Sequence, residues 1–209
     1  MKTFPILLCH PNIPKPLHTL NPRTIKGNKW WKQTKKECKA KFNDHCWACG
    51  VHKSKAKMRS WLEAHESYNI NYSTGRVEYV GTCALCHPCH NFIHNGRLIN
   101  LINKNGYSYQ NFEQIMNHGN AILKPFIQSL GIEWTGGKKW HWEKDDDGFS
   151  YLEKSNQLID DYPVLRTHSK QVQWIGDDTA EWHEYHLILD NQKYDRKFAT
   201  KEDWEAFYQ

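Results

Sequence analysis

Two C-x2-C pairs constrain this chain more than any other feature: Cys46 and Cys49 in C-W-A-C-G, and Cys86 and Cys89 in C-H-P-C-H, separated by residues 50–85. Each pair can sit on a tight turn that aims two thiolates at one point. Two such knuckles complete the tetrahedral sulfur shell that structural zinc favours. Gly50 suits the turn after the first knuckle. An ion bound there can supply about 10 to 16 kcal/mol of folding free energy, enough to organise a module whose own core is small. Buried, unliganded thiols are the bland alternative. Disulfides fit less well, because the seven cysteines are odd in number and the apolar run Phe4 to Cys9 has neither the length nor the cleavage site of a secretory leader. Cys83 stands three residues before Cys86 and could compete as a ligand, but reads better as the end of a strand. Cys9 and Cys38 have no visible partner.

Between the knuckles, Trp61 to His65 and Arg76 to Val80 have strand-like content and flank a turn signal at Ser73-Thr74-Gly75. A hairpin is expected. After it, C-H-N-F-I-H-N-G-R-L places His90 and His94 four residues apart, which on a helix stacks two imidazoles on one face. His65, at the end of the first strand, is the other histidine placed to join them. The plain alternative is that these histidines cap or hydrogen-bond within the zinc module.

Two knuckles, a strand histidine between them and a helix opening with C-H-x3-H resemble the HNH endonucleases, the ββα-metal or His-Me finger class. The resemblance covers about residues 43–98 and rests on C-x2-C-G, L-E-A-H-E and A-L-C-H-P-C-H-N-F-I-H. With H-P-N-I-P-K-P-L-H at 10–18 and C-G-V-H-K-S-K-A-K at 49–57, the chain is also similar to HNH proteins found in phages. The resemblance implies a divalent cation, Mg²⁺, Mn²⁺, Ni²⁺ or Zn²⁺, held by His65, His90 and His94, with phosphodiester hydrolysis as the activity. Three imidazoles favour a borderline metal over an all-oxygen Mg²⁺ site.

The chain departs from that family's pattern twice. The residue after the strand ligand, usually a histidine acting as general base, is Glu66, and the usual central asparagine is replaced by Gly81. An ordinary glutamate is ionised at neutral pH but is a weaker base than histidine. Strand alternation puts Glu63 on the face of His65 and turns Glu66 to the other face unless the strand bends. The expected catalytic set is therefore His65, His90 and Glu66, with His87 as the substitute base. The other functional reading is a catalytically weak or dead HNH-derived binding protein acting on a host defence protein or on nucleic acid.

Charge divides the chain. Residues 1–130 carry 18 Lys/Arg against 6 Asp/Glu, net +12, and residues 131–209 carry 10 against 17, net −7, which together give the formal +5. A basic region attracts polyanions, so nucleic acid, DNA first, is the expected partner. A helix over about 28–42 would carry Lys32, Lys35, Lys36 and Lys39, with Trp30, Trp31, Thr34, Cys38 and Phe42 as a buried stripe. With Lys53, Lys55, Lys57 and Arg59 these lysines are the candidate phosphate contacts; a solvated helix face is the alternative. The proline-rich stretch 10–23 should run as an extended arm. Residues 100–130 read as helices, with Phe112, Ile115, Met116, Ile122 and Leu123 packing on the module.

From Gly131 a turn-rich acidic passage leads to short strands with a turn at Asp190-Asn191 and a final helix capped by Thr200. The expected fold is α+β: a zinc-stapled ββα-metal module with flanking helices and a small acidic α+β C-terminal domain. Its divisions are 1–42 (arm and basic helix), 43–130 (HNH-like module) and 131–209 (acidic, tryptophan-rich domain, with a protein partner among its options). No membrane span or leader is expected, which points to the cytoplasm, that of the host if the chain is phage-encoded.

Overall fold

The computed structural model describes residues 3–9, 13–94, 98, 107–129 and 180–208, together with the backbone of four short strands between residues 141 and 175. A long hairpin organises it. Strands β1 (Leu62–Asn71) and β2 (Arg76–Cys86) pair antiparallel from Leu62↔Cys86 to Asn71↔Arg76. Asn71 shapes the turn by accepting from the Ser73 and Thr74 amides at 3.0 and 3.1 Å. The register shifts at Ser67/Tyr68, where β2 carries an extra residue beside Gly81. Gly81 has φ +151°, a conformation that side chains oppose, and it serves as the glycine of this bulge.

The hairpin runs directly into helix α2 (His87–Ile93), and helix α3 (Tyr109–Ser129) packs across it. The 3.6-residue stripe of α3 buries Phe112, Ile115, Met116 and Leu123 in a core shared with Leu62, Leu85, Phe92, Leu98 and Leu8, with Ile122 half-buried beside it. At Gly119 a Cβ would lie 2.1 Å from the Phe92 ring, so the two helices touch only because that position has no side chain. Helix α1 (Pro22–Ala40) rests on β2 and β1, broken at Gly27 with φ +81°. It buries Pro22 and Cys38 alone. The stripe of Trp30, Trp31, Thr34 and Phe42 is half-buried, because α1 lies on the sheet's flank and not under a second layer.

The N-terminal arm is less extended than its prolines suggest. Lys15–Leu17 form one 3-10 turn, and Leu17 is buried with Tyr68, Val77, Tyr185 and Leu187 in a second core. That core also draws in part of the C-terminal segment, while the boundary expected at Gly131 lies outside the described residues. Strand β7 (His186–Leu189) pairs parallel with β2, Val77 opposite Leu187, and β8 (Gln192–Asp195) closes the sheet in the order β1-β2-β7-β8. Gly75 allows the approach, since a Cβ there would meet the Glu184–Tyr185 backbone at 2.7 Å. Helix α4 (Lys201–Tyr208) starts with the expected reciprocal Thr200–Asp203 cap and docks on the arm, where Trp204 Nε1 donates to His18 Nδ1 at 3.0 Å. Residues 180–208 thus belong to the same sheet as the cysteine module. Lys26 of α1 and Asp190 form an ion pair between the basic and the acidic segments.

The remaining strands form two hairpins, β3 (His141–Lys144) with β4 (Ser150–Glu153) and β5 (Val164–His168) with β6 (Gln171–Ile175). Residues 99–106, the start of the region expected to be helical, and most of the passage after Gly131 lie outside the described residues. Among the described residues the fold is mixed α+β, with four α-helices and a four-stranded sheet. Among the described residues no helix is long and apolar enough to cross a membrane.

Candidate metal centres

The first knuckle is a tight turn closed by Cys46 N to Val51 O and Gly50 N to Cys46 O, both 2.8 Å, and tied to β2 by Trp47 N to Ala84 O at 2.9 Å. The second is made where β2 ends, with Cys86 at the N-cap of α2 and Cys89 in its first turn. The Ala84 link therefore brings the two knuckles together. One ligand atom from each of Cys46, Cys49, Cys86 and Cys89 lies within 4.8 Å of all the others. Cys49 Sγ and Cys86 Sγ are 3.7 Å apart; a tetrahedral ion with Zn–S bonds of about 2.3 Å spaces its sulfurs about 3.8 Å apart. The donor set and its spacing are compatible with zinc.

Electrostatics agree. Hydrogen bonds from Cys46, Cys86 and Cys89 hold the Cys49 thiol well below its usual range, while the bonds of Cys86 to Cys46 and Cys49 hold it well above. Four thiolates this close need a cation to ionise together. His118 of α3 closes the site, its Nε2 lying 3.4 Å from Cys89 Sγ and 3.8 Å from Cys86 Sγ, where an N–H supports thiolates. Cys83 is not among the ligands. Burial pushes its thiol up to about 12, and Ser67 Oγ donates to its sulfur at 3.9 Å. Cys38 is pushed up to about 11, also by burial.

The second cluster is His65, His90 and His94, with ring nitrogens likewise within 4.8 Å of one another. β1 supplies His65 and α2 supplies His90; His94 follows at the C-cap of α2. His94 Nε2 and His65 Nδ1 face each other at 3.1 Å. His65 is 5% and His90 8% exposed, whereas His94 is half-exposed, so the cluster is open on one side. Three neutral imidazoles in this arrangement suit a divalent ion of borderline softness.

Glu63 organises this cluster. Its Oε2 accepts from His90 Nδ1 at 2.7 Å, which leaves the His90 Nε2 lone pair for the cluster, and its Oε1 accepts from His87 Nδ1. The chain of bonds continues as Tyr107 O–H donates to His87 Nε2. Burial pushes the Glu63 carboxyl up, but the bonds from His87 and His90 and their attraction outweigh it, so the group sits well below the usual carboxylate range. Spacing put Glu63 on the right face of β1. Its two histidine partners had no local signal.

The two candidate bases are elsewhere. β1 runs on regularly past His65, so Glu66 faces the opposite side. There it pairs with Arg23 at 3.2 Å and accepts from Tyr68 O–H at 3.1 Å. Burial raises its carboxyl above the usual value. It is not among the groups that converge with His65 and His90. His87 is fully buried between Glu63 and Tyr107, enclosed and not open to a water.

Of the expected phosphate contacts, Lys32, Lys36, Lys53, Lys55 and Lys57 are exposed and Lys35, Lys39 and Arg59 half-buried. Lys53 is ion-paired with Asp44 at 2.6 Å. α1 contacts the Glu66 side of the hairpin through Arg23 and through Trp30 against Tyr79, so its lysines do not line the histidine cluster. The loop 53–59 instead leads straight into β1. Compared with protein-family models, curated proteins and solved structures, the chain matches none.

Proposed function

We propose that this chain is a metal-dependent nucleic-acid endonuclease of HNH type, with zinc in the four-sulfur site and a divalent cation among His65, His90 and His94. The observation that carries this reading is the convergence of three imidazoles on a hairpin and helix already fastened by four cysteines. A divalent cation there supplies a charge that polarises a phosphodiester and stabilises the leaving oxygen. His65 Nδ1 and His94 Nε2 would both turn lone pairs to a bound cation, and Glu63 fixes the His90 ring so that Nε2 can do the same. The half-exposed side at His94 is the entry for a phosphate. The basic loop 53–59 supplies sequence-independent attraction for the backbone.

Among the described residues neither expected base stands ready at the cluster, because Glu66 is paired with Arg23 and His87 is enclosed. The attacking water then loses its proton to solvent. A positioned base is worth about 10²- to 10⁴-fold, so cutting is slow for a nuclease of this kind. The same observation favours a second reading, a derivative that binds nucleic acid or a host protein without cutting.

Plasmid and single-stranded DNA incubated with Mg²⁺, Mn²⁺, Ni²⁺ or Zn²⁺ separate the two. Nicks that disappear in His65→Ala and His90→Ala support the nuclease. Their rate should climb with pH past about 6.5, where a histidine base would level off. Intact substrate under every metal supports the binder.

A further inference from the structure

Among the described residues, Trp61 is the tryptophan left exposed, at 49%, with Met58 beside it at 36%; the other described tryptophans are half-buried. The stretch around it, Val51 to Leu62, holds Lys53, Lys55, Lys57 and Arg59 and no Asp or Glu. The Arg59 guanidinium stands 5.1 Å from the Trp61 ring centroid, which steadies the indole and leaves it in positive surroundings. Met58 sits in the left-handed region, φ +66°, turning the chain just before this pair. Trp61 immediately precedes β1. Alternation carried back one residue puts it on the side of Glu63 and His65.

We propose that Trp61, held by Arg59, is a base-stacking subsite for single-stranded nucleic acid, set along β1 from the histidine cluster. Four residues of strand place it about 13 Å from His65, or about four stacked nucleotide steps of about 3.4 Å. A strand whose base stacks on Trp61 can reach the cluster with a phosphate a few nucleotides away. Charge selects the occupant: with Lys53 paired to Asp44, the exposed ring still stands in a run with Lys55, Lys57 and Arg59, which fits a polyanion. The ring also selects single strands, since a duplex base is already stacked on its neighbours and has no face to offer. The subsite takes from the nuclease reading the idea that the partner is nucleic acid, but it needs no cutting.

The test is fluorescence anisotropy of full-length protein with labelled dT20 and with a 20-base-pair duplex, no divalent metal added and the oligonucleotides checked intact on a gel. Trp61→Ala should weaken dT20 binding by about 5- to 150-fold, the range expected for losing one base–aromatic stack, while duplex affinity stays unchanged. Trp61→Phe should restore most of it. The salt dependence should be unaltered in Trp61→Ala and shallower, by about 0.7 in slope, in Lys57→Ala. Trp61 is exposed, so zinc content and melting should match the wild type. Equal losses on dT20 and duplex, unchanged dT20 affinity, or no binding by the wild type would each overturn the subsite. Trp61-dependent binding together with intact substrate under every metal in the cleavage assay would leave it standing and count against the nuclease alone.

Discussion

The sulfur cluster and the imidazole cluster share one piece of chain, Cys86 to His94, yet they are built for different ends. Cys46, Cys86 and Cys89 are almost wholly buried, and His118 covers their outer side. The imidazoles keep one half-exposed member, His94, and are braced from behind by a carboxylate. A closed shell of four protein ligands leaves an ion no vacancy for chemistry, whereas three ligands with an open side leave one. If the proposed reading holds, the sulfur site carries the fold and the histidine site the reaction, and substitutions in each should fail differently.

The largest effect is expected at Cys46. Serine there removes one thiolate from a site whose ion is worth roughly 10 kcal/mol of folding free energy, comparable to the whole stability of a domain this size. Cys46→Ser protein should hold no tightly bound zinc by metal analysis and show no cooperative thermal transition by circular dichroism. His90→Ala should melt nearly as the wild type does. A folded, zinc-loaded Cys46→Ser would erase the distinction between the clusters.

What could be read in advance follows the same division. Each cysteine knuckle spans four residues and His90/His94 one helical turn, so local geometry alone brings these partners together. The stripe Phe112, Ile115, Met116, Leu123 is legible for the same reason. Glu63 could be assigned a face by alternation but not a partner, because that depends on how α2 leaves the hairpin. His118 lies 29 residues from Cys89. Its only signal was position, a polar residue at i+3 from Ile115 on the core-facing side of α3. The parallel pairing of β2 with β7 had no local mark. Both strands look ordinary, and Gly75, whose missing Cβ admits the C-terminal segment, reads in the sequence as a plain turn residue.

A smaller effect is expected at Glu63. Gln keeps the size of the side chain but removes the charge and replaces one acceptor oxygen with an NH2 donor, so one histidine N–H keeps a neutral acceptor and the other loses its acceptor. Loss of such an outer carboxylate typically costs about 10- to 100-fold in metal affinity. Glu63→Gln should therefore need about that much more Mn²⁺ or Ni²⁺ to reach half-saturation, measured by calorimetry on zinc-loaded protein. Its sulfur-bound zinc should be unaffected. Equal weakening of both sites would mean that Glu63 supports the whole module and not the histidines.

The smallest effect is expected at Glu66, where the family pattern would put the base. Its carboxyl lies on the far side of β1, bonded to Arg23 and Tyr68. Gln can keep the Tyr68 bond and forfeits only a partly exposed ion pair, a change of about 1 kcal/mol or less. Because burial already raises this carboxyl, removing its charge also relieves a desolvation cost, so the stability change can take either sign. Cleavage by Glu66→Gln, if the wild type cuts, should stay within about twofold of it, since a group turned away from the imidazoles cannot take a proton beside them. A fall of about 10²-fold or more, the size of a lost general base, would require β1 to turn Glu66 toward His65 when substrate binds. In that case the open cluster would be completed by its ligand, and the contrast with the closed sulfur site would be one of timing as well as of shape.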